Sequence, residues 1–108
     1  MWENLVLDEL RSARPASAIH YWRDKSQREV DFVVEGPEGR VEAIEAKINP
    51  DALDPAGIKV FRSLYPEGEN WEVCPYVRQP YLIRRGSLVF WVSGVEHLDS
   101  DVNHSCVS

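Results

Sequence analysis

Residues 28–48 read REVDFVVEGPEGRVEAIEAKI, and this stretch decides the fold. Residues 28–35 and 41–48 alternate between apolar and polar side chains at the period of two that is typical of β-strands. The tetrapeptide Gly36-Pro37-Glu38-Gly39 between them is typical of a tight turn. With the β-prone run 19–23, these segments predict a three-stranded antiparallel meander.

The register of the hairpin decides which side chains meet across its strands. Gly39 supplies the left-handed position that a three-residue loop over 37–39 favours. Because a slip of one residue would invert every side chain of one strand, the paired residue numbers must have an even sum. The predicted register places Asp31 opposite Glu45 and Glu29 opposite Lys47. The side chains expected to share the apolar core are Val30, Phe32, Val34, Ile44, Ala46 and Ile48.

Helices and further strands flank the meander. Helical spacing of apolar residues predicts a first helix from residue 2 to about 13, with Trp2, Leu5, Val6 and Leu10 on one face. A loop over 51–55 opens a second helix, which Pro66 ends. Its predicted apolar stripe is Ile58, Phe61, Leu64 and Tyr65, and Lys59 and Arg62 are expected to point away. A strand over 71–77 and a hairpin of 81–84 with 87–92 complete the α/β fold.

Length and composition limit what the chain can be. Its 108 residues, 44% of them hydrophobic, predict one globular domain over residues 1–95 and a polar tail over 96–108. The longest apolar runs, such as 88–92, are too short to cross a membrane, and no secretory signal is recognisable, so we expect a cytoplasmic protein. The net charge of −6 argues against a broad electrostatic grip on nucleic acid.

The predicted hairpin brings two acidic residues into opposition. Carboxylates directly across a ladder repel by up to about 1 kcal/mol, so a positive charge is expected between Asp31 and Glu45. Lys47 or a hard cation such as Mg²⁺ could supply it. Such a metal generates a hydroxide nucleophile and polarises a phosphoryl group, and a neighbouring lysine can orient the water. These residue types therefore fit a nuclease.

A simpler interpretation competes with the nuclease. A half-exposed antiparallel hairpin commonly carries Glu, Asp and Lys on its solvated face, and cross-strand pairs of Glu with Lys need no catalytic role. From the spacing alone, this solvated-face interpretation is favoured.

A family resemblance shifts that balance. The run from Arg28 to Val34, followed by Ile44-Glu45-Ala46-Lys47, resembles the core motif of the PD-(D/E)xK nuclease-like superfamily. More narrowly, residues 2–6, 21–25 and 29–32 resemble the C-terminal domain of unknown function that follows AAA-type ATPase domains in prokaryotes. The resemblance implies a restriction-endonuclease-like core with a mixed sheet: a helix, a three-stranded antiparallel meander, a helix and a strand, here with an extra C-terminal hairpin.

Roles also follow from the resemblance. It implies that Asp31 and Glu45 bind Mg²⁺ or Mn²⁺, that Lys47 is the catalytic lysine, and that Glu3 of the first helix completes the metal site; Glu29 is a further candidate. Val30 stands where the motif name has proline. The implied reaction is metal-dependent hydrolysis of phosphodiester bonds in DNA.

An alternative of another class stays open. The chain would then be a non-catalytic accessory, docking or dimerisation domain of an AAA-type ATPase. Expected partners are therefore DNA, an ATPase domain in cis or in trans, and a second copy of the chain. The uncapped first helix favours a fragment of a longer, ATPase-linked protein.

Other reactive side chains are expected to be incidental. The set with metal-ligand chemistry in the tail is His97, His104 and Cys106, whose spacing fits no common zinc pattern. Cys74 is predicted to be a small core residue. Arg84 and Arg85 are predicted to be solvated charges at a hairpin tip.

Overall fold

A computed structural model describes residues 1–13, 18–49 and 54–95 of the chain. In these residues no helix is long and apolar enough to cross a membrane. The elements, in chain order, are α1 (Trp2–Ala13), β1 (Ile19–Arg23), β2 (Glu29–Glu35), a 3₁₀ turn (Pro37–Gly39), β3 (Val41–Ala46), α2 (Ala56–Leu64), β4 (Asn70–Val73), β5 (Tyr81–Arg85) and β6 (Leu88–Ser93). The predicted order of helix, meander, helix, strand and hairpin is confirmed.

The strands form one mixed sheet in the order β1-β2-β3-β4-β6-β5. The meander β1-β2-β3 and the hairpin β5-β6 are antiparallel, whereas β4 runs parallel to both β3 and β6. Helix α1 packs on one face of the sheet and α2 on the other, and each helix buries its own apolar cluster. The fold is therefore a mixed α/β sandwich in which both faces of the central strands are covered.

Helix α1 lies where the periodicity places it. Val6 and Leu10 are fully buried against the sheet, and Trp2 is partly buried with its indole Nε1 donating a hydrogen bond to the Val73 carbonyl at 2.9 Å. Leu5 is 47% exposed, so it lies at the margin of the predicted stripe rather than in it. The helix is anchored to the carboxyl end of β4 through the indole of Trp2.

The register of the β2–β3 hairpin is the predicted one. Phe32 pairs with Ile44 and Glu35 with Val41, so every pair of this ladder sums to the same even number. The loop closes with the Gly36 amide donating to the Arg40 carbonyl at 2.8 Å. Gly39 adopts the expected left-handed conformation, with φ of 78°. The three-residue turn thus sets the alignment on which the candidate site depends.

A bulge in β2 corrects one predicted face. His20 pairs with Val33 but Trp22 pairs with Val30, so two steps along β1 match three along β2. Such an extra residue locally breaks the alternation of side chains. Phe32 and Val34 pack in the α1 cluster as predicted, whereas Val30 packs in the α2 cluster. The strict period of two was therefore wrong for Val30.

The sequence prediction for helix α2 was wrong in part. Ile58 and Phe61 are buried as expected, but Leu64 is 60% exposed and Tyr65 47% exposed. Arg62, expected to point away, is buried. Pairing the guanidinium with backbone acceptors makes this burial tolerable, since a buried charge needs hydrogen bonds.

Arg62 ties the chain after α2 to the sheet. Its Nε donates to the Asn70 side chain at 2.7 Å, and its two terminal nitrogens donate to the carbonyls of Tyr65, Glu67 and Glu69 at 2.7–3.1 Å. The Glu67 and Glu69 carbonyls each accept a second hydrogen bond from β3, from the Val41 and Ala43 amides respectively. One side chain therefore fixes the path from α2 into β4.

One strand boundary and one arginine also differ from expectation. Strand β4 ends at Val73 rather than at residue 77. Arg85 does not stand free at the hairpin tip, because its Nε donates to the fully buried Glu72 carboxylate at 2.7 Å. A buried acid paired with a partly buried arginine is a packing feature of the hairpin, so Arg85 is not a solvated charge.

Replacing Arg62 tests its role in the α2–β4 connection. We expect Arg62→Met to lower the free energy of unfolding by about 3 kcal/mol, because the buried Asn70 side chain and three carbonyls of the connection each lose a hydrogen bond from the guanidinium. Lys59→Met on the exposed side of the same helix is the matched control and should change it by about 0.5 kcal/mol or less. Urea denaturation measures both, and equal effects of the two variants would contradict the assignment.

Candidate functional site

The candidate site lies where the β2–β3 hairpin ends. The Phe32–Ile44 pair is the last of the ladder, and the register brings Asp31 alongside Glu45 at the next position. Here the Asp31 carboxylate replaces a ladder carbonyl, because its Oδ2 accepts a hydrogen bond from the Ala46 amide at 2.9 Å. The bulge in β2 lies at the same point. Bulges re-aim side chains beside functional sites, and this one fixes Asp31 toward β3.

Glu45 is buried beside that carboxylate. It is only 4% exposed, because α2 covers the face of the sheet on which it lies. Burial raises the pKa of Glu45 to about 9, and the hydrogen bond and charge of Asp31 add to the shift, which the charge of Lys47 opposes. In the absence of a cation, Glu45 is therefore protonated at neutral pH and donates a hydrogen bond to Asp31.

Lys47 is the third side chain that was predicted to lie beside Asp31 and Glu45. Its Nζ lies 4.0 Å from Glu45 Oε2, and its amide donates to the Val73 carbonyl at 3.0 Å. The backbone of Lys47 is thus held against β4, while its half-buried side chain lines the same cleft as the two carboxylates. Asp31, Glu45 and Lys47 converge as the register predicts.

The cleft has a volume of about 220 Å³ and a polar lining. Besides the three convergent residues, it is bordered by the start of α2, at Asp54 and Gly57. A Cβ on Gly57 would lie 2.1 Å from the Glu29 carbonyl, so only glycine lets α2 approach β2 this closely. The sequence did not predict that the start of α2 borders the site. A glycine in the first turn of a helix, here Gly57, is the local feature that indicates such a close approach.

Glu3 and Glu29 lie differently from Asp31, Glu45 and Lys47. Glu3 is exposed and borders a neighbouring cleft of about 280 Å³, which Asp31 also lines but Glu45 does not. Glu29 lines both clefts and accepts from Arg23 at 2.9 Å. Within residues 1–13, 18–49 and 54–95, no three Asp, Glu, His or Cys side chains converge closely enough to hold a metal ion. The role of Glu3 as a further ligand stays a prediction.

The solvated-face interpretation fails for Glu45. A wet hairpin face would leave this carboxyl exposed and fully ionised, whereas Glu45 is buried beside a second acid. Nearby arginines do fit that interpretation, since Arg23 pairs with Glu29 and Arg28 lies 3.9 Å from Asp24 at the surface. The sheet therefore carries ordinary surface charges around one unusual buried pair.

Of the remaining sequence candidates, Cys74 does not line this cleft. Cys74 is buried, as predicted for a core residue, and burial raises the pKa of its thiol to about 11. A thiol with a raised pKa is a poor nucleophile at neutral pH. The other candidates in the tail lie outside the described residues: His97, His104 and Cys106.

The pH dependence of stability tests the burial of Glu45. Its pKa rises from 4.5 in the unfolded chain to about 9 on folding, so stability is lost as pH rises through this interval. In metal-free buffer, Glu45→Gln should therefore become progressively more stable than the parent from pH 4.5 upward. At 1.36 kcal/mol per pH unit, the gain reaches at most about 3 kcal/mol at pH 7.

The matched control is Glu38→Gln, which neutralises an exposed carboxylate in the turn. Urea denaturation at several pH values should show no such trend for it. A Glu45→Gln effect that stays constant between pH 5 and 8 would contradict the assignment.

Comparisons with known proteins place the chain in a family. No curated protein matches the chain. Among solved structures, the chain is similar to one in the refined half-complex from the tetradecameric assembly of Thermococcus gammatolerans McrB AAA+ hexamers with bound McrC. The TM-score is 0.62 at 12% identity, covering 96% of this chain and 32% of that one, so the likeness is one of fold. A family model matches residues 1–96, and the chain belongs to the family described as Domain of unknown function (DUF4143).

Proposed function

We propose that this domain is a Mg²⁺- or Mn²⁺-dependent nuclease of the PD-(D/E)xK type, which hydrolyses phosphodiester bonds in DNA. The observation that carries the proposal is the buried Glu45 carboxyl held against Asp31, with the Lys47 ammonium 4.0 Å from it. A fold gains no stability from forcing two acids together in a buried place, since the arrangement raises one pKa by several units. Such a cost is typical of functional sites.

The donor set fits a hard divalent cation. Asp31 and Glu45 present carboxylate oxygens from two neighbouring strands, and both line a polar cleft. Mg²⁺ is usually held by one or two carboxylates together with waters and substrate phosphates, so a full cage of protein ligands is not required. When bound, the metal would polarise a phosphoryl group and lower the pKa of a coordinated water.

Each acidic or basic residue of the two clefts has a distinct role in this proposal. Asp31 is fixed by the Ala46 amide and lines the cleft beside Glu45, so the two carboxyl groups would hold the cation together. Glu45 would hold the cation as a carboxylate, so cation binding would be coupled to the release of its proton. Lys47 carries a compact positive charge into the cleft, where it can orient a water and stabilise negative charge developing on a phosphate. Glu3 in the adjoining cleft is the expected further acid.

An AAA-type ATPase is the proposed partner. The support is the likeness in fold to a chain from the assembly of McrB AAA+ hexamers with bound McrC, together with the resemblance of residues 2–6, 21–25 and 29–32 to ATPase-linked domains. The ATPase would act in cis or in trans. We also propose a cytoplasmic location, where such an enzyme meets DNA.

An accessory role without catalysis is the second candidate. Exposed apolar side chains on one face of the β5–β6 hairpin favour it, namely Leu82 at 56% and Val89 at 44% exposure. Such a patch is typical of a docking or dimerisation surface. A stable dimer with no affinity for divalent cations would support this candidate over the nuclease.

Cleavage assays test the nuclease proposal. Supercoiled, linear and branched DNA incubated with Mg²⁺ or Mn²⁺ should be cut, and EDTA should abolish cutting. Asp31→Asn, Glu45→Gln and Lys47→Met should each lower the rate about 100-fold or more, because the first two remove carboxylates that would hold the cation and the third removes the positive charge beside the phosphate.

The matched control is Asp8→Asn, an exposed carboxylate of α1 that lines neither cleft, which should leave the rate unchanged. Calorimetric titration with Mg²⁺ accompanies each assay. Cutting that survives in the Asp31 and Lys47 variants, or the absence of both cutting and cation binding, would overturn the proposal.

A further inference from the structure

A second concave site lies on the α2 face, beside the edge strand β1. It has a volume of about 250 Å³, and its floor is apolar, formed by Val33, Val41 and Phe61. The walls are the aromatic rings of Trp22 and Tyr65. The volume lies below the roughly 300–1,000 Å³ of sites for drug-sized molecules, so the pocket suits a single flat ring system.

The aromatic side chains of the pocket pack against a shared central ring, that of Phe61. The Trp22 ring meets Phe61 edge-on at 5.5 Å between centroids, and Tyr65 packs on the other side of Phe61 at 5.0 Å. Phe61 itself is only 2% exposed and anchors both rings to the core, whereas Tyr65 is 47% exposed. The pocket therefore presents preorganised aromatic surface to solvent, a property that favours stacking of a planar ligand.

The rim supplies hydrogen-bonding groups. His20 and Glu35 lie across the β1–β2 pair, with His20 Nε2 and Glu35 Oε2 2.6 Å apart, and both are about half exposed. The second Glu35 oxygen is an acceptor at the pocket mouth, suited to an exocyclic amino group on a heterocycle. Carboxylates recognise the amino group of cytosine in this way.

The pocket adjoins the cleft that Glu3 and Asp31 line, which in turn meets the proposed catalytic cleft at Asp31. Tyr21 and Trp22 line both the pocket and the cleft that contains Glu3 and Asp31. A planar group in the pocket would thus lie beside β1 with its attached backbone running along that strand toward the carboxylates. This continuity favours a nucleic-acid strand as the occupant over an isolated small molecule.

We propose that this aromatic pocket binds an unpaired nucleobase of a single-stranded or locally opened nucleic acid. The proposal rests on the nuclease function, since it names the form of substrate that the same domain would accept. An amino-bearing base would stack against Trp22 and Tyr65, and its amino group would donate to Glu35. Its neighbouring phosphate then lies toward the cleft of Asp31.

The charge of the chain supports binding by stacking. With a net charge of −6, the domain has little electrostatic attraction for a phosphate backbone. Stacking of bases on aromatic side chains does not depend on that attraction and tolerates different sequences. An acidic domain that acts on nucleic acid therefore needs such a pocket more than a basic domain would.

The experiment measures binding of fluorescein-labelled DNA octamers in EDTA at about 0.15 M salt, which screens charge repulsion. The probes are single-stranded dC8, the same length with abasic sites, and duplex DNA. We expect dC8 to bind and the other two to bind at least about fivefold more weakly. Tyr65→Ala should weaken dC8 binding by about fivefold or more, the usual effect of losing one stacked base.

Tyr81→Ala is the matched control. Tyr81 is 45% exposed, like Tyr65, but lies on β5 at the opposite edge of the sheet, so its removal should leave binding unchanged. Glu35→Gln should weaken dC8 binding but leave dT8 binding unchanged, because thymine has no exocyclic amino group to donate.

Three results would overturn the proposal: no binding of dC8, equal binding of the abasic strand, or equal loss in the Tyr65 and Tyr81 variants. Self-association of the chain that Tyr65→Ala abolishes would assign the pocket to a second copy and also overturn it. Because EDTA removes the cation, binding without any cleavage in Mg²⁺ would leave the pocket standing and refute only the nuclease. Cleavage without base-dependent binding would support the nuclease and refute only the proposal for the pocket.

Discussion

The buried contact between the Glu45 and Asp31 carboxyl groups is the constraint on which the rest of the structure depends. It requires β2 and β3 to pair in one register, α2 to exclude water from that face of the sheet, and a proton or a cation to lie between the two acids. Each condition traces to particular residues. The turn at Pro37–Gly39 sets the register, and Gly57 allows α2 to approach the Glu29 backbone.

The scaffold around this contact is built to keep it in place. Helix α1 is tied to β4 by the Trp2 indole, and the chain after α2 is tied down by Arg62. Both attachments act on segments that flank the candidate cleft. The site therefore lies at the start of β2, the end of β3 and the start of α2, where side chains from separate elements meet on this support. Rigid support of this kind is what a metal or phosphate site needs.

The sequence predicted the hairpin well because the information is local. Alternation over residues 28–48 and a glycine able to adopt positive φ were sufficient to align Asp31 with Glu45. What it could not predict depends on tertiary contacts. The bulge that turns Val30 toward α2 arises from pairing with β1, and the burial of Arg62 depends on carbonyls that arrive from residues 65–69. The aromatic pocket likewise needs β1 and α2 to be neighbours, a fact that no single segment encodes.

The most direct measurement of the central claim is a crystal structure grown with saturating Mn²⁺, with the ion located by its anomalous scattering. We expect a peak between the two strands, about 2.1 Å from one oxygen of Asp31 and one of Glu45, with the Glu45 proton displaced. An unoccupied cleft under these conditions, with Glu45 still hydrogen-bonded to Asp31, would contradict it and leave the buried acid pair as a feature of the fold alone.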